Sequence, residues 1–205
     1  MFTIIIQAGG ESKRMGQDKA LLDFLGEPLI LRVINRVKAI ADDVIVTTNQ
    51  PENYSFLEYK LVPDIIPHRG ALGGLYTALW AAQFDIAAII ACDMPFINHR
   101  LLLAEREYLI RENADLVVPE TENGMEPLHA IYRKEKCLQP ILEAIKTDRW
   151  RVDSWYKQVN LAPFPLNEIQ KIDPNLLSFR NINTPEELQD AIRLAKEMQN
   201  KENLL

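Results

Sequence analysis

The chain has 205 residues, 47% hydrophobic and 25% charged, with a formal net charge of −6. These values suit a soluble globular chain long enough to bury a core without staples, and they argue against a nucleic-acid partner, whose usual footprint is a concentrated basic face. No apolar run nears the roughly 20 residues of a membrane helix, so no membrane partner is expected. Cys92 and Cys137 show no paired or metal-type spacing, which points to a reducing, cytoplasmic setting.

Residues 2–6 form a short β-branched apolar run, which predicts a strand buried on both faces that opens the fold rather than a leader. Gly9-Gly10 ends it. Pro28 opens a helix in which Leu29, Val33, Val37 and Ile40 recur at helical spacing. Residues 44–48 and 60–62 predict strands, the first broken by Asn49-Gln50-Pro51 and the second by Pro63-Asp64. Gly70 to Gly74 reads as a second glycine-rich turn, followed by a helix over 75–83 and a buried strand over 86–91 that stops at Cys92-Asp93-Met94-Pro95. A helix over 101–111, strands over 116–118 and 127–132, and a helix over 138–145 come next. Residues 150–177 carry no clear pattern. Thr184-Pro185-Glu186-Glu187 is a helix start with a capping box, and that helix runs to about residue 198 before a polar tail. Strands alternating with helices imply an α/β protein with a mostly parallel sheet and helices on both faces.

The segment from Gln7 to Lys19 carries the most chemistry. Gly9 and Gly10 lack a Cβ, so the backbone can turn sharply just after the first strand, where successive amides make a concavity for anions. Lys13, Arg14 and Lys19 add three positive charges in an acidic chain. Together they describe a polyphosphate cradle. Neither the dinucleotide fingerprint nor the P-loop fits the spacing of Gly9, Gly10 and Gly16.

Asp93 follows a buried strand and therefore sits on the same sheet edge as the glycine loop, where Mg²⁺ can take one carboxylate plus substrate phosphate oxygens. The competing reading is an aspartate that caps a turn. Asp64 ends another strand. Asn49 can read a base edge or simply make a turn. Asn181 and Asn183 flank Ile182, so alternation puts both on one side, where they reach a metal or substrate or satisfy their own backbone. His68, His99 and His129 form no cluster and read as structural.

Taken together, these segments resemble the molybdenum cofactor guanylyltransferase family. The matching pieces are Ala8-Gly9-Gly10-x-Ser12-x-Arg14-Met15-Gly16-x-Asp18-Lys19, Gly70-Ala71-Leu72-Gly73-Gly74-Leu75, Cys92-Asp93-Met94-Pro95-Phe96, Pro127-Leu128-His129-Ala130-Ile131-Tyr132 and Asn181-Ile182-Asn183-Thr184-Pro185-Glu186-Glu187-Leu188. The resemblance implies a three-layer α/β/α Rossmann-like nucleotidyltransferase fold in one domain over 1–205. Residues 1–100 would mainly hold the nucleotide and 101–198 mainly the acceptor, with a tail over 199–205. It implies Mg²⁺-dependent transfer of GMP from GTP to the terminal phosphate of molybdopterin, with or without molybdenum, and release of pyrophosphate. The nucleotide loop carries over to Gln7, Ala8, Gly9 and Gly10, the phosphate lysine to Lys19, the nucleotide aspartate to Asp64 and the metal aspartate to Asp93. Asn49 and Gly73 fall on the nucleotide side, Arg14 is catalytic alongside Lys19, and Asn181 or Asn183 completes the metal set. Enzymes that insert or accept the finished cofactor are the implied protein partners. The chain departs from the family at Gln7, where Leu is usual, at Gly70-Ala71-Leu72-Gly73-Gly74, where Gly-Pro-Leu-Ala-Gly is common, and at Thr47, where some members have Asn. Ala8-Gly9-Gly10 leans towards guanine, since cytidylyltransferases tend to have Ala-Ala-Gly. The alternatives are a cytidylyl- or guanylyltransferase for another phosphorylated metabolite and a non-catalytic nucleotide-binding module.

Overall fold

The computed structural model describes residues 1–8 and 18–202. Strand β1 (Thr3–Gln7) is buried along its whole length. A strand that is apolar on both sides needs cover on both sides, and β1 has it. Ile4 and Ile6 join one core and Ile5 the other. A two-residue hairpin, β2 (Asp23–Phe24) with β3 (Glu27–Pro28), leads into helix α1 (Leu29–Val37), which buries Leu29, Ile30, Val33, Ile34 and Val37. A tighter helical turn over Lys38–Ile40 finishes the predicted helix.

The rest follows as β4 (Asp43–Thr47), β5 (Lys60–Val62), α2 (Gly70–Ala81), β6 (Ile86–Ala91), α3 (His99–Arg111), β7 (Leu116–Thr121), β8 (Gly124–Met125), β9 (His129–Arg133), α4 (Lys134–Lys146), β10 (Leu161–Phe164), α5 (Leu166–Ile172) and α6 (Pro185–Glu202). The sheet order among the described residues is β10-β7-β9-β6-β1-β4-β5, with β8 beside β7. Apolar residues of α1, α3 and α5 cover one face, and those of α2 and α4 cover the other. This is the expected three-layer α/β/α arrangement. β1 runs parallel to β4 and β6, β4 to β5, and β10 to β7, while β9 is antiparallel to both β6 and β7.

Two readings from sequence need correction. Gly70 to Gly74 is not a turn before a helix but the first turn of α2 itself. Gly70 adopts φ +53°, where a side chain would be strained, and the helix starts there. The featureless stretch 150–177 holds β10 and α5, both short, whose pattern lies below the length at which periodicity is visible.

The last helix begins as expected. The Thr184 hydroxyl accepts from the Glu187 amide at 3.2 Å, and Glu187 Oε2 accepts from the amides of Thr184 and Asn183 at 3.1 and 2.5 Å. This reciprocal cap fixes the backbone of Asn183, which matters below. Helix α6 then packs Ala191 and Ala195, with Ile182 just before it, against Phe24, Leu29 and Phe96, which ties α6 to the β2–β3 hairpin.

Candidate active site

The chain runs from β1 outward to β4 and β5, then returns to the opposite side of β1 with β6. Ligands of open α/β sheets bind where the strand order reverses, beyond the carboxyl ends of the strands. Here that crevice lies between β1 and β6. The register Gln7↔Ala91 puts Ala8 and the pair Cys92-Asp93 side by side on one rim, and the Cys92 amide donates to Gln7 O at 3.1 Å. Gly9, Gly10 and Arg14 lie outside the described residues.

Lys19 reaches this rim from the far side of the loop. Its Nζ lies 3.1 Å from Asp93 Oδ2 and 2.7 Å from Asn183 Oδ1. The two side chains of the ion pair are only 20% and 16% exposed, so water screens them weakly. Residues 164 positions apart thus meet at one ammonium group. Asn183 is delivered by the α6 cap and by the Ile182 amide, which donates to Asp93 O at 3.0 Å.

Sequence reasoning missed what aims Lys19. Asp18 accepts from the Ala20 amide at 3.1 Å, capping a short helical turn over Lys19–Leu21, and its second oxygen accepts from the Tyr54 hydroxyl at 2.5 Å. Burial and the Asp18 carboxylate push the Tyr54 hydroxyl well above its usual range, so it remains a donor. An aspartate just before a lysine was the visible half of this device. Tyr54, 36 residues away, carried no local signal. Cys92 is held towards its thiol form. Burial, with the Asp93 and Asp18 carboxylates beside it, raises its thiol well above the usual value.

On the other flank, Asn49 and Asp64 are bound to each other across the ends of β4 and β5. Asn49 Nδ2 donates to Asp64 Oδ2 at 2.8 Å, and the Asp64 amide donates to Asn49 Oδ1 at 2.9 Å. The Asn49 amide is therefore engaged in orienting Asp64. Gly73 lies one turn into α2, and its carbonyl accepts from Thr77 Oγ1 at 3.0 Å. A Cβ there would sit 2.7 Å from Arg69 Cβ and 3.0 Å from Ile66 O. Alanine in a helix interior normally gains nearly 1 kcal/mol over glycine. Overpacking costs about 1–3 kcal/mol and wins at this contact. Gly73→Ala is thus expected to lower unfolding stability by about 1 kcal/mol in denaturant melts, and a gain in stability would show that the contact is not limiting.

The arrangement can be tested for Mg²⁺. Asp93 Oδ1 and Asn181 Oδ1 are buried without a hydrogen-bond partner among the described residues. Both are oxygen acceptors, the donors a hard divalent ion prefers. Orphaned buried acceptors are costly unless something else satisfies them. Among the described residues no group of three or more His, Cys, Asp or Glu side chains is placed to hold an ion. The residues present therefore fit an ion held by one carboxylate and completed by substrate oxygens, not an all-protein cage. Asn181 presents the free oxygen, whereas Asn183 is occupied by Lys19.

His129 Nε2 is 3.2 Å from Glu105 Oε1 with both side chains fully buried, as expected of a structural residue. Among the described residues no helix is long and apolar enough to cross a membrane.

Known proteins share both the fold and the sequence. A family model described as "MobA-like NTP transferase domain" matches residues 4–160. A probable molybdenum cofactor guanylyltransferase of Peptoclostridium acidaminophilum is 36% identical over 198 residues, covering 94% of this chain and 89% of that one. The molybdenum cofactor guanylyltransferase of Desulfosudis oleivorans is 36% identical over 190 residues, covering 92% and 93%. Among solved structures, molybdopterin-guanine dinucleotide biosynthesis protein A from Archaeoglobus fulgidus superposes with a TM-score of 0.84 at 24% identity, over 95% and 99% of the two chains, which is a shared fold. The family match takes in the rim from β1 through Lys19, Asp64 and Asp93, and the relatives match nearly end to end. The chain belongs to the MobA-like NTP transferase family and is a nucleotidyltransferase.

Proposed function

We propose that this enzyme transfers GMP from GTP to the terminal phosphate of molybdopterin or the molybdenum cofactor, in the cytoplasm and with Mg²⁺, giving the guanine dinucleotide cofactor and pyrophosphate. The names borne by the relatives support the substrates. The observation that carries the chemistry is Lys19 Nζ held between Asp93 and Asn183 at the β1/β6 crevice. One domain over 1–205 suffices for this reading, with 1–100 mainly on the nucleotide, 101–198 mainly on the acceptor and 199–205 as a tail. Asn183, from the acceptor half, reaches across to Lys19.

An oxygen of the acceptor phosphate forms a bond to the α-phosphorus of GTP while the bond from that phosphorus to the bridging oxygen breaks, and the electron pair leaves with pyrophosphate. The attacking phosphate is already ionised near neutral pH, so no general base is needed, and positioning with charge neutralisation carries the step. Mg²⁺, held by Asp93 with Asn181 or Asn183 and substrate oxygens, would supply neutralisation of charge at the α-phosphate. Lys19 turns from Asp93 to the triphosphate when substrate enters, and Lys19 and Arg14 both offset the charge of departing pyrophosphate. Asn49 holds Asp64 towards the nucleotide. Ala8, Gly9 and Gly10 offer backbone to it.

The test is turnover with molybdopterin and each of the four common nucleoside triphosphates, read as pyrophosphate release and product mass. GTP is expected to give a guanine dinucleotide product. A preference for CTP would move the enzyme to another branch of the superfamily, and stoichiometric GTP binding without product would make it a binding module.

A further inference from the structure

Tyr54 closes a helical turn over Pro51–Tyr54 shortly after β4, and its side chain is wholly buried in the core on the α1 face. A phenylalanine would fill that core equally well. What the hydroxyl adds is a bond to Asp18 Oδ2 at 2.5 Å, short as hydroxyl bonds to ionised carboxylates are. Tyr54 stands on a stiff support. The Gln50 amide donates to Thr48 Oγ1 at 3.2 Å and the Asn53 amide to Gln50 O at 3.0 Å. Asn53 Nδ2 donates to Gln50 Oε1 at 2.8 Å and the Leu57 amide to Tyr54 O at 2.9 Å. The turn that Asp18 caps, Lys19–Leu21, has only three residues, and a turn that short is not stable by itself. The anchoring therefore runs from the 48–57 segment to Asp18, not the reverse.

We propose that Tyr54 is a positioning residue for guanylyl transfer: through Asp18, its hydroxyl fixes the backbone from which Lys19 swings between Asp93 and the triphosphate. This rests on the phosphate role of Lys19 in the reading above and deepens it. A lysine ammonium ends a flexible four-carbon stem, so its reach is defined only where its Cα is held. A displacement of about 1 Å at a reacting centre can cost about 10²-fold in rate. The same stiff segment carries Asn49, which holds Asp64 on the nucleotide flank. One support thus aims both the lysine and the nucleotide aspartate and keeps their spacing fixed.

The experiment is a double-mutant cycle on GTP affinity, measured by calorimetry with Mg²⁺ and without acceptor. It compares the wild-type chain, Tyr54→Phe, Lys19→Ala and the double variant, each with a thermal melt. Tyr54→Phe keeps the ring and should still fold. It is expected to weaken GTP binding about 10-fold in the wild-type background but less than about 2-fold in Lys19→Ala, where no lysine is left to aim. A tyrosine that only held up the fold would cost the same in both backgrounds. Asp18→Asn keeps a cap on Ala20 while removing the charge, and should weaken GTP binding in the same direction. In turnover, kcat of Tyr54→Phe should fall about 10-fold at saturating GTP while KM for molybdopterin holds. Equal losses in the two backgrounds, or either wild-type affinity or wild-type kcat in Tyr54→Phe, overturn the role of Tyr54 and leave guanylyl transfer standing. Equal GTP affinity in the wild type and Lys19→Ala removes the phosphate role of Lys19 and this proposal with it. A wild type that binds GTP and yields no guanine product removes the transfer reading alone.

Discussion

Asp93→Ala is expected to lower kcat for guanylyl transfer by about 10³-fold or more at saturating GTP. The estimate follows from losing both the anchoring carboxylate of the proposed ion and one of the two groups that hold Lys19 among the described residues. In the ligand-free protein Lys19 keeps its bond to Asn183, so the variant should fold. A melting temperature near that of the wild type would separate lost chemistry from lost structure. Asp93→Asn is the sharper control, because it keeps the shape and removes the charge. If either variant turns over at near wild-type rate under saturating GTP and Mg²⁺, Asp93 does not anchor the reaction. Asn183→Ala should cost less, about 10- to 100-fold, since it removes a positioning contact rather than the charge.

The largest stability effect is expected far from the rim. His129→Ala would remove the imidazole 3.2 Å from the fully buried Glu105 and leave a cavity in its place, a loss of about 2–5 kcal/mol. The His129 ring also packs at a tilt against Phe179, centroids 4.7 Å apart, just ahead of Asn181 and Asn183, so the cavity would open beside the segment that carries them. Burial raises the Glu105 carboxyl above its ordinary 4.5, with His129 opposing the shift. Because the folded value lies above the unfolded one, the contribution is fully present below about pH 4.5 and is lost as pH rises through the folded value. Glu105→Gln cannot titrate and should flatten this fall in stability above about pH 4.5. Glu126, also raised by burial and also near His129, titrates in the same sense and leaves a residual slope. Denaturant melts across that range check both variants. A Glu105→Gln profile parallel to the wild type would show that the pair does not govern the pH response.

The sheet and its strands were legible wherever a pattern repeats within one element. β1, β6 and the α6 cap each carry their signal in a few consecutive residues, and each formed as read. The glycines of α2 misled because glycine in a first helical turn and glycine in a loop look alike without the neighbouring Arg69 and Ile66 contacts. β10 and α5 were silent because four and seven residues do not complete a period that stands out.

At the candidate site, sequence alone determined which groups are present: a cation behind a glycine pair, a carboxylate at the end of a buried strand, and two asparagines flanking an apolar residue before a capped helix. Those are local facts, set by backbone preference and by the side-chain chemistry of adjacent positions. Only the tertiary structure decided which of them meet. Lys19, Asp93 and Asn183 converge because β1 and β6 lie side by side and α6 packs back on the hairpin. Asn49 turned out to serve Asp64, Tyr54 to hold Asp18, and Gln7 to face Gly74. Each of those pairings spans 15 or more residues and depends on sheet order and on which face a strand turns to a helix, which no single segment encodes.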